Sequence, residues 1–160
     1  LERARLVQSL RARAIVDEEL LVCTEAYFHR ALEREFTRAV RSGEAFAVLR
    51  VSLLGLEASS PERRLLTWKA VGQIILQNLR VTDLVCRHAR EGCLWILGPL
   101  PGGGEALVRR RVQEAVGRYA QEGADPAIRI ELDLVVGPGN FAGPDALLQA
   151  FDALPPGRPA

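Results

Sequence analysis

The ten residues from Ala45 to Leu54 (Ala-Phe-Ala-Val-Leu-Arg-Val-Ser-Leu-Leu) constrain the fold of this chain more than any others. Eight of them are apolar, and only Arg50 and Ser52 interrupt the run. A run of this length and makeup reads as a central strand, with strands beside it and other elements covering it.

The rest of the chain supplies that cover. From Asp17 to about Arg41 the apolar residues Tyr27, Phe28, Ala31, Leu32, Phe36 and Val40 recur at helical spacing, and Ser42-Gly43 stops the pattern. Ser59-Ser60-Pro61 starts a second helix, with a capping Ser and Pro in the first turn. It runs to about Leu79 on Leu65, Leu66, Val71, Ile74, Ile75 and Leu79. Asp83 to His88 and Cys93 to Leu97 pair as a hairpin around the turn Ala89 to Gly92. Pro99 to Gly104 is a loop, and Glu105 to about Gln121 a helix with Leu107, Val108, Val112, Ala115 and Val116 inward. Ala127 to Val136 alternates Ile128, Ile130, Leu132 and Leu134 against Arg129, Glu131 and Asp133, which predicts a strand with one wet face. Pro144 to about Leu154 closes the order as a short helix that Pro155-Pro156 ends. The order predicts an α+β fold, a mixed and mostly antiparallel sheet flanked by helices.

Leu6, Leu10 and Ala14 add an amphipathic helix over residues 1–16, read as a signalling or linker helix that leads into a domain at 17–160. With no Met and a start at Leu1, the chain reads as a piece of a longer protein. The net charge of +1, with acids and bases interspersed, argues against nucleic-acid or membrane surfaces. No apolar run is long enough to span a bilayer, and no signal peptide is visible. Cys23, Cys86 and Cys93 are odd in number and lack metal-ligand spacing, so they are expected to be free thiols, with no metal site.

Several motifs together resemble the GGDEF domain of diguanylate cyclases, which join two GTP into cyclic di-GMP. Asp17 to Glu33 is similar to that family's opening helix, and Phe46 to Ser52 to its first strand. Arg80 to Leu97 resembles its signature hairpin, and Ile130 to Gly137 with Leu147, Leu148 and Asp152 its closing elements. The resemblance covers about Asp17 to Leu154 and implies a cytoplasmic domain of a bacterial signalling protein.

The resemblance also implies lost catalysis. Ser52 stands where the family's metal-binding Asp would be, and a neutral hydroxyl is a poor Mg²⁺ ligand. The Gly-Gly-Asp/Glu-Glu-Phe turn becomes Ala89-Arg90-Glu91-Gly92-Cys93, and side chains at the first two positions obstruct phosphates that would approach a bare backbone. Glu91 keeps one acid, a weak clamp for two-ion chemistry. Thr24 replaces a guanine-binding Asn, Glu33 keeps the second guanine contact, and Glu57 replaces a phosphate-binding Lys. No catalytic residue or cofactor is expected.

The family's product site is an Arg-x-x-Asp pair five residues before the turn. Arg80 and Asp83 hold that spacing, and Arg111 falls where the family has a third contact on the next helix. The resemblance implies cyclic di-GMP as ligand, with Arg80 on guanine O6 and N7 and Asp83 on its N1 and N2 protons. It also implies a homodimer that the ligand can bridge. In a chain with twenty arginines the same residues can also be read as a surface ion pair beside a solvated face of Arg109, Arg110 and Arg111, and position favours the binding reading. A domain that only dimerises or docks a partner, and a slow residual cyclase, are the competing functions. His29 reads as solvent-facing, His88 as structural, Trp68 and Trp95 as partly buried packing, and Arg90 and Glu91 as pairing with each other or with neighbours.

Overall fold

The computed structural model describes residues 15–100, 105–121 and 128–154, with the side chains of 105–108, 120 and 121 left aside. Residues 1–14 of the helix expected over 1–16 and the Pro155-Pro156 stop therefore lie outside the described residues, as do the side chains of Leu107 and Val108, while Ile15 and Val16 are not helical and Val16 bridges to Cys23.

The elements are α1 (Glu25–Ser42), β1 (Phe46–Leu54), a 3₁₀ turn (Leu56–Ala58), α2 (Pro61–Asn78), β2 (Leu84–Arg87), β3 (Cys93–Pro99), α3 (Glu105–Gln121), β4 (Arg129–Gly137) and α4 (Pro144–Asp152). The strands form one antiparallel sheet in the order β2-β3-β1-β4, with Leu49 opposite both Ile96 and Leu134. The apolar run is thus a central strand, and every residue from Phe46 to Leu53 is buried.

Strand alternation splits β1 between two cores. Ala47, Leu49, Val51 and Leu53 pack with Trp68, Val71 and Ile75 of α2 and with Val112 and Val116 of α3. Phe46 and Val48 pack on the other side with Phe28, Leu32 and Phe36 of α1 and Leu147 and Phe151 of α4. Trp68 and Trp95, expected to be partly buried, sit wholly inside these cores. Val40 and Leu66, expected inward, stand exposed at 64% and 66%. Helical geometry turns the buried stripe toward Ala39 and Trp68 instead.

Two further expectations need correction. The first helix starts at Glu25, not Asp17. Asp17 Oδ1 accepts the backbone N–H groups of Glu19 and Leu20, Leu21 takes a left-handed φ of 58°, and the chain turns back on itself. Leu20 and Val22 drop into the core, Cys23 pairs with the sheet edge, and the Thr24 hydroxyl caps α1 through Tyr27 N–H. The second correction concerns β4, whose predicted wet face is dry at Asp133, only 5% exposed. Arg50 lies beside it on β1, and its wholly buried guanidinium binds the Asp133 carboxylate at 2.9 Å. The same guanidinium donates to the main-chain oxygens of Phe151 and Leu154, each at 2.9 Å. Two charges that look solvated in sequence clasp α4 to the middle of the sheet.

Candidate functional site

The hairpin and the turn leading into it gather most of the predicted site residues. After α2 ends, the chain reverses through Arg80 to Asp83, closed by Asp83 N–H donating to Arg80 O at 3.0 Å. Asp83 Oδ2 accepts the Arg80 backbone N–H, also at 3.0 Å. Asp suits this position because its short carboxylate reaches back three residues to the backbone. Asp83 is 6% exposed and packs over Gly98 of β3, where any side chain would overlap its Oδ1.

Burial raises the Asp83 carboxyl above its ordinary value. The hydrogen bond from Arg80 and the positive charges of Arg80 and Arg111 oppose that rise. The charges of Arg80 and Arg111 both reach the Asp83 carboxyl. The surface ion-pair alternative takes a different form here, because Asp83 binds Arg80 through the backbone. Arg80 itself is exposed beside the fully exposed Val81, and its guanidinium enters none of the ion pairs among the described residues. The corner presents the exposed guanidinium fork of Arg80, which has no ion pair among the described residues, the half-buried Arg111 on α3, and a carboxylate turned mostly inward. That set suits a flat, polar, anionic ligand.

The Ala89–Cys93 turn lies at the far end of β2. His88 N–H donates to Cys93 O at 3.3 Å, Cys93 N–H to Arg90 O at 3.2 Å, and Gly92 takes the left-handed φ of 77° that closes the turn. The side chains of Ala89, Arg90 and Glu91 stand exposed. Glu91 accepts from Arg64 of α2 at 3.0 Å rather than from Arg90, whose backbone N–H donates to His88 Nδ1 at 2.9 Å. Leu53, Leu56, Glu57, Arg64 and Glu91 line a groove of about 250 Å³, so its two acids share one base. Ser52 is buried inside, its hydroxyl 3.6 Å from the Cys93 thiol. Among the described residues, no cluster of three or more His, Cys, Asp or Glu is arranged to hold a metal ion.

The remaining predicted positions lie in or beside α1 and β2. Thr24 caps α1, and Glu33 sits on that helix's exposed face beside Arg34, Thr37 and Arg41. His29 lies on the surface, 3.5 Å from Glu25. His88 is buried against Trp95, with ring centroids 4.5 Å apart. Burial, with the charge of Arg90 behind it, lowers its imidazole to about 4.

Sequence reasoning missed two features. One is the Arg50–Asp133 clasp, whose only signal was a lone Arg inside an apolar strand. The other is Cys23, which an isolated parallel bridge sets directly opposite Cys86. Its signal was hidden because the segment carrying it was read as helix.

Comparison with solved structures gives the fold a family likeness. The GGDEF domain of YfiN (also TpbB) from Pseudomonas aeruginosa superposes with a TM-score of 0.68 at 22% identity, over 82% of this chain and 86% of that one. The coiled coil and GGDEF domain of DgcB from Caulobacter crescentus, in complex with cyclic di-GMP, gives 0.74 at 13% identity, over 95% and 84%. A diguanylate cyclase protein from Thermotoga maritima gives 0.64 at 18% identity, over 87% and 100%. No family model and no curated protein sequence matches this chain. The fold is that of the GGDEF domains, and no described helix is long and apolar enough to cross a membrane.

Proposed function

We propose that this chain is a catalytically silent domain of the GGDEF type that binds cyclic di-GMP at the Arg80 corner. The observation that carries the reading is the Arg80 guanidinium, exposed and without an ion pair among the described residues at the family's product-site position, with the charge of Arg111 acting on the Asp83 carboxyl. In this reading Arg80 offers its paired N–H donors to a guanine edge, a contact of about 1–3 kcal/mol where measured on DNA. Arg111 supplies charge to the phosphate ring. Asp83 holds the corner's shape and leaves only part of its carboxylate to the ligand.

The other end of the hairpin supports silence. Glu91, the remaining acid of the turn, is held by Arg64, and Glu57 brings a second negative charge to the same groove. A triphosphate there would meet two carboxylates and one arginine already paired with Glu91, where catalysis needs a surplus of cations.

Calorimetric titration with cyclic di-GMP tests the reading. Wild type is expected to bind, Arg80→Ala to lose the heat, and Arg111→Ala to weaken it. A wild-type chain that gives no heat would overturn it. One observation favours a nucleotide-free docking module instead: Asp83 already has an internal partner and needs no ligand. Unchanged oligomeric state and melting temperature on adding cyclic di-GMP would select that alternative.

A further inference from the structure

Cys23 and Cys86 are the two cysteines that the fold sets face to face. The lead-in segment runs parallel to the end of β2, with Cys23 N–H donating to Val85 O at 2.9 Å and Arg87 N–H to Cys23 O at 2.8 Å. This pattern places Cys86 directly opposite Cys23. Residues paired in this way share one face of a sheet, with backbones about 4.8 Å apart. That spacing falls within the roughly 4.4–6.8 Å that disulfides bridge between α-carbons. Burial agrees: Leu20 and Val22 enter the core on the α2 side, whereas Cys23 packs with Cys86 against the core on the α1 side.

The two thiols differ in access. Cys86 is fully buried, and Cys23 is half-buried at the edge. We propose that Cys23 and Cys86 form a reversible intramolecular disulfide when the domain meets a hydroperoxide. Cys23 is the attacking sulfur. Its thiolate takes one oxygen of the peroxide, the O–O bond breaks, and a sulfenic acid forms at Cys23 as hydroxide leaves. The Cys86 sulfur then attacks the Cys23 sulfur, the S–O bond breaks, and the Cys86 proton leaves with the departing oxygen as water. In total two thiols and one hydrogen peroxide give one disulfide and two waters, the peroxide accepting the two electrons.

The ionisation of the pair fits these roles. A hydrogen bond from Cys86 holds the Cys23 thiol down at about 7, against the opposing effect of burial. The same hydrogen bond, followed by burial, pushes Cys86 up. A thiolate is therefore available near neutral pH at the accessible member of the pair. The product would tie the segment leading into α1 covalently to the hairpin, next to the ion pair already joining Arg87 to Asp17 at 3.0 Å. Cys93 is an internal control, because it is buried opposite Ser52 with no cysteine facing it.

The test is intact mass and non-reducing tryptic mapping of the 160-residue chain after brief treatment with hydrogen peroxide at neutral pH. The expected result is a monomer lighter by two hydrogens, in which peptide 14–30, carrying Cys23, is joined to peptide 81–87, carrying Cys86. Dithiothreitol restores the mass. Cys93→Ser keeps the link, and Cys23→Ser abolishes it and leaves Cys86 unmodified. An unchanged wild-type mass, a link through Cys93, or links only between separate chains would overturn the proposal. The wild-type map decides even if a variant fails to fold.

Discussion

Two arginine–aspartate pairs, Arg50 with Asp133 and Arg80 with Asp83, show how burial assigns opposite roles to the same side chains. Arg50 is wholly enclosed and gives its guanidinium to Asp133 and to two main-chain oxygens of the α4 end. At the corner the Asp is the enclosed partner. It binds the Arg80 backbone and leaves the Arg80 guanidinium in solvent. One arginine is spent on the scaffold, and the other is available to a ligand. Spacing alone distinguishes neither, because a separation of 83 positions for Arg50 and Asp133 and of three for Arg80 and Asp83 says nothing about which atoms meet.

The largest test of this contrast is Arg50→Ala. Removing one member of a buried pair leaves Asp133 and the α4 carbonyls without their donor, with an expected loss of about 3–5 kcal/mol in urea unfolding. A loss below about 1 kcal/mol would show that the clasp holds nothing.

Next comes acid. His88 takes up a proton near 6.5 when unfolded but only near about 4 in the fold. The unfolded chain therefore binds more protons in that window, and stability drains away as pH falls through it, by about 3 kcal/mol in all. Asp83 has the opposite sign. Its folded carboxyl keeps a proton above the ordinary 3.8, so its contribution declines as pH rises past that value. Thermal melts between pH 4 and 7 should show the histidine effect, flattened in His88→Gln. A wild-type curve flat over that range would break the assignment.

A smaller effect is expected from Gly98→Ala, whose methyl would collide with Asp83 Oδ1 and cost about 1–3 kcal/mol. Combined with Asp83→Ala the two changes should cost less than their sum, a coupling that a double-mutant cycle measures. Smallest of all, Arg80→Ala should change stability by less than about 0.5 kcal/mol while abolishing the calorimetric signal of cyclic di-GMP. A large destabilisation would place Arg80 with Arg50 as a scaffold residue.

Much of the fold was legible because β1 is a continuous apolar run and β4 and the helices carry strong periods. Where the period was misread, a local interaction outweighed it. Asp17 turns the chain back through its own carboxylate and delays α1 to Thr24, although Asp17 to Glu33 looks helical as a string. Asp133 alternates as a wet-face residue, but Arg50 sits opposite it and makes a dry position habitable. The Arg80–Asp83 reversal was legible as a spacing, while the inward turn of Asp83 depends on Gly98, a residue on another strand. Side-chain direction at that corner is a tertiary property, and one sequence window does not contain it.

The Arg50 clasp also sets the order in which α4 comes apart. Its front end begins at Gly143, which offers no side chain to hold the first N–H groups, while its rear oxygens are gripped by a cation buried at the centre of the sheet. A positive charge at that end also suits the helix dipole. Fraying therefore starts at Pro144 and Asp145 and travels toward Phe151, and amide hydrogen exchange along the helix should slow in the same direction. A pull on the chain beyond Leu154 would be borne by β1 rather than by α4 alone, so strain arriving from that side reaches the core strand first.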